Sequence, residues 1–556
     1  MAVFPPHVHT AAWGIAVALA ALAGLAASAS RDARNSWKLP PAGWWVVLLL
    51  TGAIAINVTF AAQRLQAART VAMWCAYLCM FLYCAGLRRG PDDGEPAVRR
   101  VLGALAIVAT ALAVHGLYQS LYEFERLAEV ASSLGLPEAV RARLGSTRAV
   151  ATLGLPDALS GLLAISVPVT VWLARANERG WLRRLLWVMT FIQGACLVAT
   201  RSAGGFASLA LAGAAVLWWR GRTARGAARR RLAIVLVTAG LSGAALLLAA
   251  RLLGPGASGD GNPLALRLGN WSVAASMARD HLLFGTGAGC FGVSFPAYRE
   301  WGMNETQFVH NSFLQLFSET GLFLGGAALA GAVALGLTML GSGVAPLLAV
   351  ACVSFLIHNA ADFTFYVPTV GFTFFCLAGL VVGPRDGRLG AREAPVARSG
   401  GAAVAGRGVA ALCLASFALI VTRADMKRDA ARDAVVAGEH SLAAALAREA
   451  IAGDPFDPEA RSLLSRLEFE QSVATHDPGR LVEAEAQARR AVEIDPHTPN
   501  HWHHLGRVLL ARGDPQGAYI ALSRAAELYP IKIEYRKDRD AVLGALAGAA
   551  PKEPAP

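Results

Sequence analysis

The sequence predicts an all-α protein: a polytopic membrane bundle of about twelve helices followed by a short α-solenoid of helical repeats. Three observations predict it. Of 556 residues, 55% are apolar and only 16% are charged, where a soluble domain carries about 25% charged residues. The apolar residues gather in runs of roughly 17–25, long enough to cross a bilayer as helices. The charge also divides at Val421/Thr422: residues 1–422 hold 33 Lys/Arg and 18 Asp/Glu, whereas residues 423–556 hold 18 and 21. An apolar, arginine-decorated front and a polar, near-neutral tail imply two domains, 1–422 and 423–556.

The apolar runs lie at 11–29, 43–62, 71–87, 101–121, 155–174, 185–200, 203–219, 232–252, 316–340, 344–362, 366–383 and 405–422. The first ends in the small residues Ala26, Ala27, Ser28 and Ala29, as a signal peptide does, but Met1–Thr10 contains no Lys or Arg. It reads as a retained helix. Loops rich in Lys/Arg stay in the cytoplasm. Alternate loops beginning after the first run carry 22 basic residues, among them Arg220, Arg222, Arg225, Arg229, Arg230 and Arg231, against 10 in the opposite set. The polar loop 253–311 is therefore expected outside, with both termini and the tail. Because the basic excess sits between apolar runs, it reports membrane topology and not a nucleic-acid surface. Seven of the eight cysteines lie in apolar runs, and only Cys290 lies in a polar loop; no paired spacing points to a metal or a disulfide framework.

From Asp425 onward the composition is rich in Ala, Leu, Glu and Arg. The segments AREAIAGDP, ARRAVEIDP and SRAAELYP end at Pro455, Pro496 and Pro530. The last interval is 34 residues, the period of tetratricopeptide repeats, and the first is 41, as if one repeat carried seven extra residues. Trp502, Leu505, Gly506, Leu509, Gly513, Ala518 and Ala525 fit the alternation of large and small residues that interlocks two helices. The tail resembles an array of two to three tetratricopeptide repeats, which either binds a protein partner in its concave face or packs on its own membrane domain.

Ionisable and polar groups at membrane depth are expensive and mark functional sites. Arg201 lies in the tight connection CLVATRSAGGFASL, either as a headgroup anchor or as an anion-binding group on an outward cavity. In the 253–311 loop, Arg267 and Trp271 share a helix face at i, i+4. Gly285, Gly287 and Gly289 follow no strand and open no βαβ unit, so they shape a turn and not a nucleotide site. In FVHNSFLQLFSETG, His310 precedes a helix with Asn311 or Ser312 as N-cap. Asn311, Gln315 and Glu319 form a polar stripe at i, i+4, i+8 that must face protein or water. His310, at the water boundary, suits a base, or else simply bonds to neighbouring backbone. His358 and Asp362, also at i, i+4, either pair with each other or hold His310 or an arginine in place.

These motifs, in this order, resemble the O-antigen ligase and polymerase superfamily over roughly residues 100–385. The likeness rests on HGLYQSLYEF with ATLGLPDALSG, on TRSAGGFASL, on R-x-x-x-W with HLLFGTGAGCF, and above all on HNSFLQLFSETG, with IHNAADF last. Two departures stand out: Leu-Pro-Asp replaces a usual Asn-Pro-Asn, and Ala203 stands where an arginine follows serine in the family. The eight runs before the loop are also one fewer than usual.

The resemblance implies a metal-independent, inverting transfer of an undecaprenyl-pyrophosphate-linked glycan at the periplasmic face of the bacterial inner membrane, with no cofactor. It implies His310 as base, Arg267 and Arg201 as phosphate-binding groups, and Trp271, Asn311, Gln315, Glu319, His358 and Asp362 as substrate-side residues. The acceptor it implies is a lipid, a glycan or a protein. Independently, a diphosphate leaving group mainly needs positioned reactants and stabilised negative charge, which arginine supplies. A non-enzymatic scaffold, or a transporter of lipid-linked glycan with a partner-binding tail, is the alternative. It predicts polar residues spread through mid-membrane helices, whereas the candidates here gather at a loop and at helix ends.

Overall fold

The computed structural model describes residues 52–87, 95–133, 144–220, 263–341, 343–382 and 401–549, with Arg141 and Ile234 besides. The runs 11–29 and 232–252, and the start of 43–62, lie outside the described residues. So do most of the arginine-rich 220–231 connection and the segment 383–400.

Among the described residues the chain is helical throughout. The membrane part contains α1 (Arg64–Leu87), α2 (Glu95–Tyr118), which passes through a π turn (Gln119–Glu123) into α3 (Phe124–Ser133), then α4 (Pro156–Ala176), α5 (Gly180–Ala199) and α6 (Ala203–Arg220). The loop contributes α7 (Pro263–Asp280) and α8 (Phe291–Tyr298), and the chain re-enters the bundle with α9 (Ser312–Leu340), α10 (Pro346–Asn359) and α11 (Pro368–Val382). Among the described residues, five segments are long and apolar enough to cross a membrane: Arg64–Ala85, Glu95–Ser133, Pro156–Ala176, Gly180–Ala199 and Ser312–Leu340. The runs predicted at 344–362 and 366–383 form helices of 14 and 15 residues, about 21–23 Å at 1.5 Å per residue. That is short of the ~30 Å hydrocarbon core.

Helix α4 is the axle of the bundle. It packs against α2, α5, α6 and α10, while α1 packs against α11. Pro168 lies inside α4 and removes the N–H that the Ala164 carbonyl would otherwise accept. The Ser354 hydroxyl on α10 donates to that carbonyl at 3.2 Å, so the break is repaired from the neighbouring helix. Gln193 on α5 performs a similar task among three helices. Its amide donates to Thr110 Oγ1 of α2 at 2.9 Å, and its Oε1 accepts from Thr170 of α4 at 3.3 Å. Such polar ties hold membrane helices together where burial alone cannot.

Helix α9 is broken at Gly321, whose φ of 68° and ψ of −167° interrupt the helical path. The straight apolar stretch therefore starts at Leu322. The predicted polar stripe Asn311–Gln315–Glu319 occupies a separate short turn at the loop end of the bundle.

Helix α12 (Gly401–Val436) runs without interruption across the expected domain boundary at 422/423. The tail continues as antiparallel pairs: α13 (His440–Gly453), α14 (Pro458–Thr475), α15 (Pro478–Ile494), α16 (Pro499–Ala511), α17 (Pro515–Leu528) and α18 (Ile533–Ala549). Proline at the first turn and aspartate at the cap start α14, α15 and α17. The extra seven residues of the 41-residue interval are absorbed in the helices. At 18 and 17 residues, α14 and α15 exceed α16 and α17, at 13 and 14. The interlocking residues behave as their sizes require: Leu505, Leu509, Ala518 and Ala525 are buried, Trp502 packs beside them, and Gly513 ends α16 at φ 80°.

The tail docks on the end of the bundle that carries the 263–311 loop. Gln63 Nε2 donates to Asp495 Oδ2 at 2.9 Å, Arg69 pairs with Asp425 and Asp454 at 3.2 and 3.1 Å, and Arg299 bonds to Tyr529.

Candidate active site

The stretch after the loop is locked by its own cap. The Asn311 side chain accepts from the Leu314 N–H at 3.0 Å, which makes Asn311, of the two expected candidates, the N-cap of α9. Ser312 then fastens this start to the turn after α10. Its N–H donates to the Asp362 carbonyl at 2.8 Å and its hydroxyl to Asn359 Oδ1 at 2.6 Å. The H-N-S and H-N-A-A-D motifs, which begin 48 residues apart in sequence, are thus one unit.

His310 sits at the head of that unit in the left-handed region, φ 60°, a conformation that costs a residue with a β-carbon about 1–3 kcal/mol. Its carbonyl accepts from Trp271 Nε1 at 3.4 Å. Its ring stands edge-on to Phe363 at 4.8 Å, and Phe363 stacks on Phe308 at 4.2 Å. Nδ1 is buried and makes no hydrogen bond. Burial first, and then the Arg267 cation, push the imidazole pKa down to about 4, against a smaller opposite pull from Asp157. At neutral pH the ring is therefore uncharged and able to accept a proton.

Beside it, two arginines share one carboxylate. Arg148 reaches Asp157 Oδ1 at 3.2 Å, and Arg267 reaches Oδ2 at 3.3 Å. Asp157 is on the first turn of α4, the place where an acid also favours the helix dipole. Arg148 is aimed by Nε donating to the Thr200 carbonyl at 2.9 Å, while Ala149 N–H bonds the Ala199 carbonyl. Both guanidiniums are about a quarter exposed, at 23% and 28%.

His358, buried on α10, lies against the same turn with Nε2 3.2 Å from the Asp157 carbonyl. Asp362 Oδ2 is 3.9 Å away. Gly161 and Gly204 make room for the imidazole. A Cβ at Gly161 would stand 3.1 Å from His358 Cδ2, and one at Gly204 3.5 Å from Cε1. His358 and Asp362 thus hold the turn that carries Asp157 and the start of α9.

Two of the expected groups also hold the surrounding backbone. Arg201, also left-handed at φ 49°, donates to the Ser146 carbonyl at 3.1 Å and so grips the segment that carries Arg148. Glu319 is fully buried and turned away from the arginine pair. Its carboxylate accepts from Gly289 N–H at 2.8 Å, Phe291 N–H at 3.2 Å, Gln315 Nε2 at 3.0 Å and Tyr366 OH at 2.8 Å. The glycine turn is wrapped around the break in α9: Thr286 and Gly287 donate to the Ser318 and Glu319 carbonyls, and Leu322 donates to Leu282. Gly321 is required there because a Cβ would fall 2.4 Å from the Leu283 backbone. The polar stripe faces protein, as its pattern demanded, and its partner is the loop.

Sequence reasoning passed over Arg148 and Asp157 as site residues, along with Asn57, which accepts from Ala288 N–H and donates to the Phe284 and Glu319 carbonyls. Asp157 had a signal, a lone acid after proline at the head of an apolar helix. Arg148 had none beyond being one basic residue among four in its loop. Among the described residues, no three His, Cys, Asp or Glu converge as a metal site would require.

Residues 185–330 match the family model described as O-antigen ligase. The match spans α5 to the middle of α9 and so contains Arg201, Arg267, Trp271 and the His310–Glu319 turn. It supports a ligase- or polymerase-type membrane enzyme acting on glycan. No curated protein matches the chain. Among solved structures, the first TPR of Spaghetti (RPAP3) bound to the HSP90 peptide SRMEEVD aligns at 18% identity and a TM-score of 0.21. It covers 22% of this chain and 94% of that one; so low a score bears on neither fold nor ligand.

Proposed function

We propose that the protein transfers a glycan from a polyprenyl-diphosphate carrier, of the undecaprenyl type, to a hydroxyl acceptor at the periplasmic face of the bacterial inner membrane. The observation that carries this reading is the juxtaposition of Arg148, Asp157 and Arg267 with a neutral, strained His310 at the loop end of the bundle.

Arg267 and Arg148 bind the diphosphate. Guanidinium matches phosphate oxygens with planar, permanently charged donors, and Asp157 keeps the two side chains at a fixed separation. The His310 imidazole takes the proton as the acceptor oxygen attacks the anomeric carbon. The bond from that carbon to the phosphate oxygen breaks on the opposite face, so the configuration inverts and the diphosphate leaves on its carrier. The low pKa of His310 in the free protein is part of the device. An anion bound to Arg267 offsets the cation that depresses the imidazole, so the base strengthens when donor arrives. Trp271, His358 and Asp362 position the base and the arginine-bearing turns. Arg201 supports Arg148 from the rim, and Asn311, Gln315 and Glu319 hold the loop over the site.

The test is glycan transfer in membranes carrying His310→Ala or Arg267→Ala, with insertion monitored alongside. Loss of transfer with normal insertion supports the reading; full activity in both variants overturns it. Short lipid-linked units accumulating in the deleted strain would identify a polymerase, and finished chains stranded on the carrier a ligase.

A further inference from the structure

A cavity of about 730 Å³ lies between the docked tail and the loop face of the bundle, within the ~300–1,000 Å³ usual for small-molecule sites. It is separate from the arginine pair. One wall is membrane-side, with Gln66 and Arg69 of α1 and the Gln307–Phe308 segment. The other is the edge of the tail where α14, α16 and α18 begin, with Asn500, Tyr529 and Tyr535.

The chemistry of the lining narrows the occupant. Its ions are paired among themselves or with immediate neighbours: Arg69 with Asp454 at 3.1 Å, Arg428 with Asp457 at 2.6 Å, Arg432 with Glu459 at 3.0 Å, Glu305 with Arg299 at 3.2 Å, and Lys532 with Glu534 at 3.6 Å. No surplus charge calls for an anionic ligand, and so polar a lining excludes a lipid tail. What remains is a set of amides, Gln66 and Gln307 on one wall and Asn500 on the other, with the half-buried ring of Phe308 as the aromatic surface, since Arg299 and His503 cover Tyr529 and Tyr535. Amides pair with arrays of hydroxyls, and aromatic faces take the C–H faces of sugar rings. The cavity also adjoins the base: Phe308, in its wall, stacks on Phe363, and His310 stands edge-on to that same ring.

We propose that this cavity is a glycan subsite, completed only by the docked tail, that holds a short run of sugar rings beside His310. It rests on the transfer reading for its biological sense, and its occupant comes either from the lipid-linked donor or from a glycan acceptor.

The full chain in lipid nanodiscs is tested by saturation-transfer NMR against two probes. One is the oligosaccharide released by mild acid from the host's lipid-linked pool, and the other is deacylated lipopolysaccharide core. A tryptic digest of envelope proteins is run beside them. At least one glycan is expected to bind, and to weaken ten-fold or more in Asn500→Trp, which fills the cavity from an exposed position, and in Gln66→Ala, which only removes an amide. Binding of the first probe assigns the subsite to the donor, and binding of the second to the acceptor. KM for that substrate rises correspondingly. The subsite is overturned if neither glycan binds, if binding is unchanged in both variants, or if peptides bind instead and are displaced by Asn500→Trp. Glycan binding that survives in His310→Ala while transfer continues undiminished would sink the transfer reading and leave the subsite standing.

Discussion

At the loop end of the bundle, Arg148 and Arg267 share the single carboxylate of Asp157. On the same end, where the tail docks, Arg69 and Arg428 meet four aspartates, Asp425, Asp429, Asp454 and Asp457, at 2.6 to 3.8 Å. Both clusters use the same two residue types at similar distances, but the stoichiometry is reversed. The joint has more acid than base, and its arginines are the more buried, at 17% and 13% exposure. Arg69 is consumed there in holding the tail to the bundle, and Arg428 in tying α12 to the start of α14. At the other cluster two guanidiniums share one carboxylate directly and remain partly open, and a neutral histidine stands within the field of Arg267. An arginine that closes a joint is balanced locally. One that receives a charged substrate is left in excess.

The largest effect should come from removing the base. His310→Ala is expected to lower transfer by about 10²–10⁴-fold, the usual contribution of general base catalysis, without changing insertion. Next, Arg148→Gln should cost about 10²–10³-fold in kcat, the scale of one lost charge-stabilising donor. Arg201→Gln should cost only a few-fold, since Arg201 acts by holding the 146–149 segment. Equal losses at the two arginines would erase the distinction between receiving and supporting groups.

The pH profile sharpens the same contrast. Neutral His310 is the competent form, and it is present above its lowered pKa of about 4. In kcat/KM, which reports the free enzyme, activity should hold down to about pH 4 and fall below it. In Arg267→Gln, where residual rate permits, the acid limb should move upward, because one of the two causes of the depression is gone. A wild-type limb near 6.5, the ordinary histidine value, would mean that His310 is not the group titrating.

At the joint the consequence is mechanical. Arg69→Ala leaves Asp454 without its paired cation and Asp425 with Arg428 alone, and breaking a buried pair this way costs about 3 kcal/mol or more. The tail should loosen from the bundle, with faster proteolysis between the two parts and weaker binding of any ligand of the shared cavity. The Arg148–Asp157–Arg267 cluster should be intact. Tail docking unaltered by the substitution would show that the ion pairs are incidental to it.

Much of this was legible in the sequence, for physical reasons. The run lengths gave the helices, the 34-residue spacing gave the paired tail, and the i, i+4, i+8 polar residues on an apolar helix announced that one face of α9 meets protein. What the sequence hid depends on which partner a group finds. Glu319 and Arg267 are equally costly groups near the membrane, yet one is consumed by four donors in a glycine turn and the other is left in excess. That difference is set by the break at Gly321 and the return of the loop, which no local pattern records. Arg148 was invisible for the converse reason, and Asp157 was signalled only as a lone acid at a helix start, since each acquires its meaning through the other.

The smallest effect tests whether buried polarity in this bundle is always functional. Gln193 lies mid-helix in α5, fully buried, with its amide shared between Thr110, Thr170 and the Ala106 carbonyl. A transporter would use such a group on its path. Here its donors and acceptor are all taken by neighbouring helices, and none faces the arginine pair. Gln193→Leu should lower the unfolding free energy in bilayers by about 0.6–2 kcal/mol, the range of interhelical hydrogen bonds in membranes, with transfer at wild-type rate. Thr110→Ala should cost little more when added to it, since both remove the same bond. A loss of transfer much larger than the loss of stability would move Gln193 from the class of closed joints to that of working groups, and would extend the functional region into the middle of the membrane.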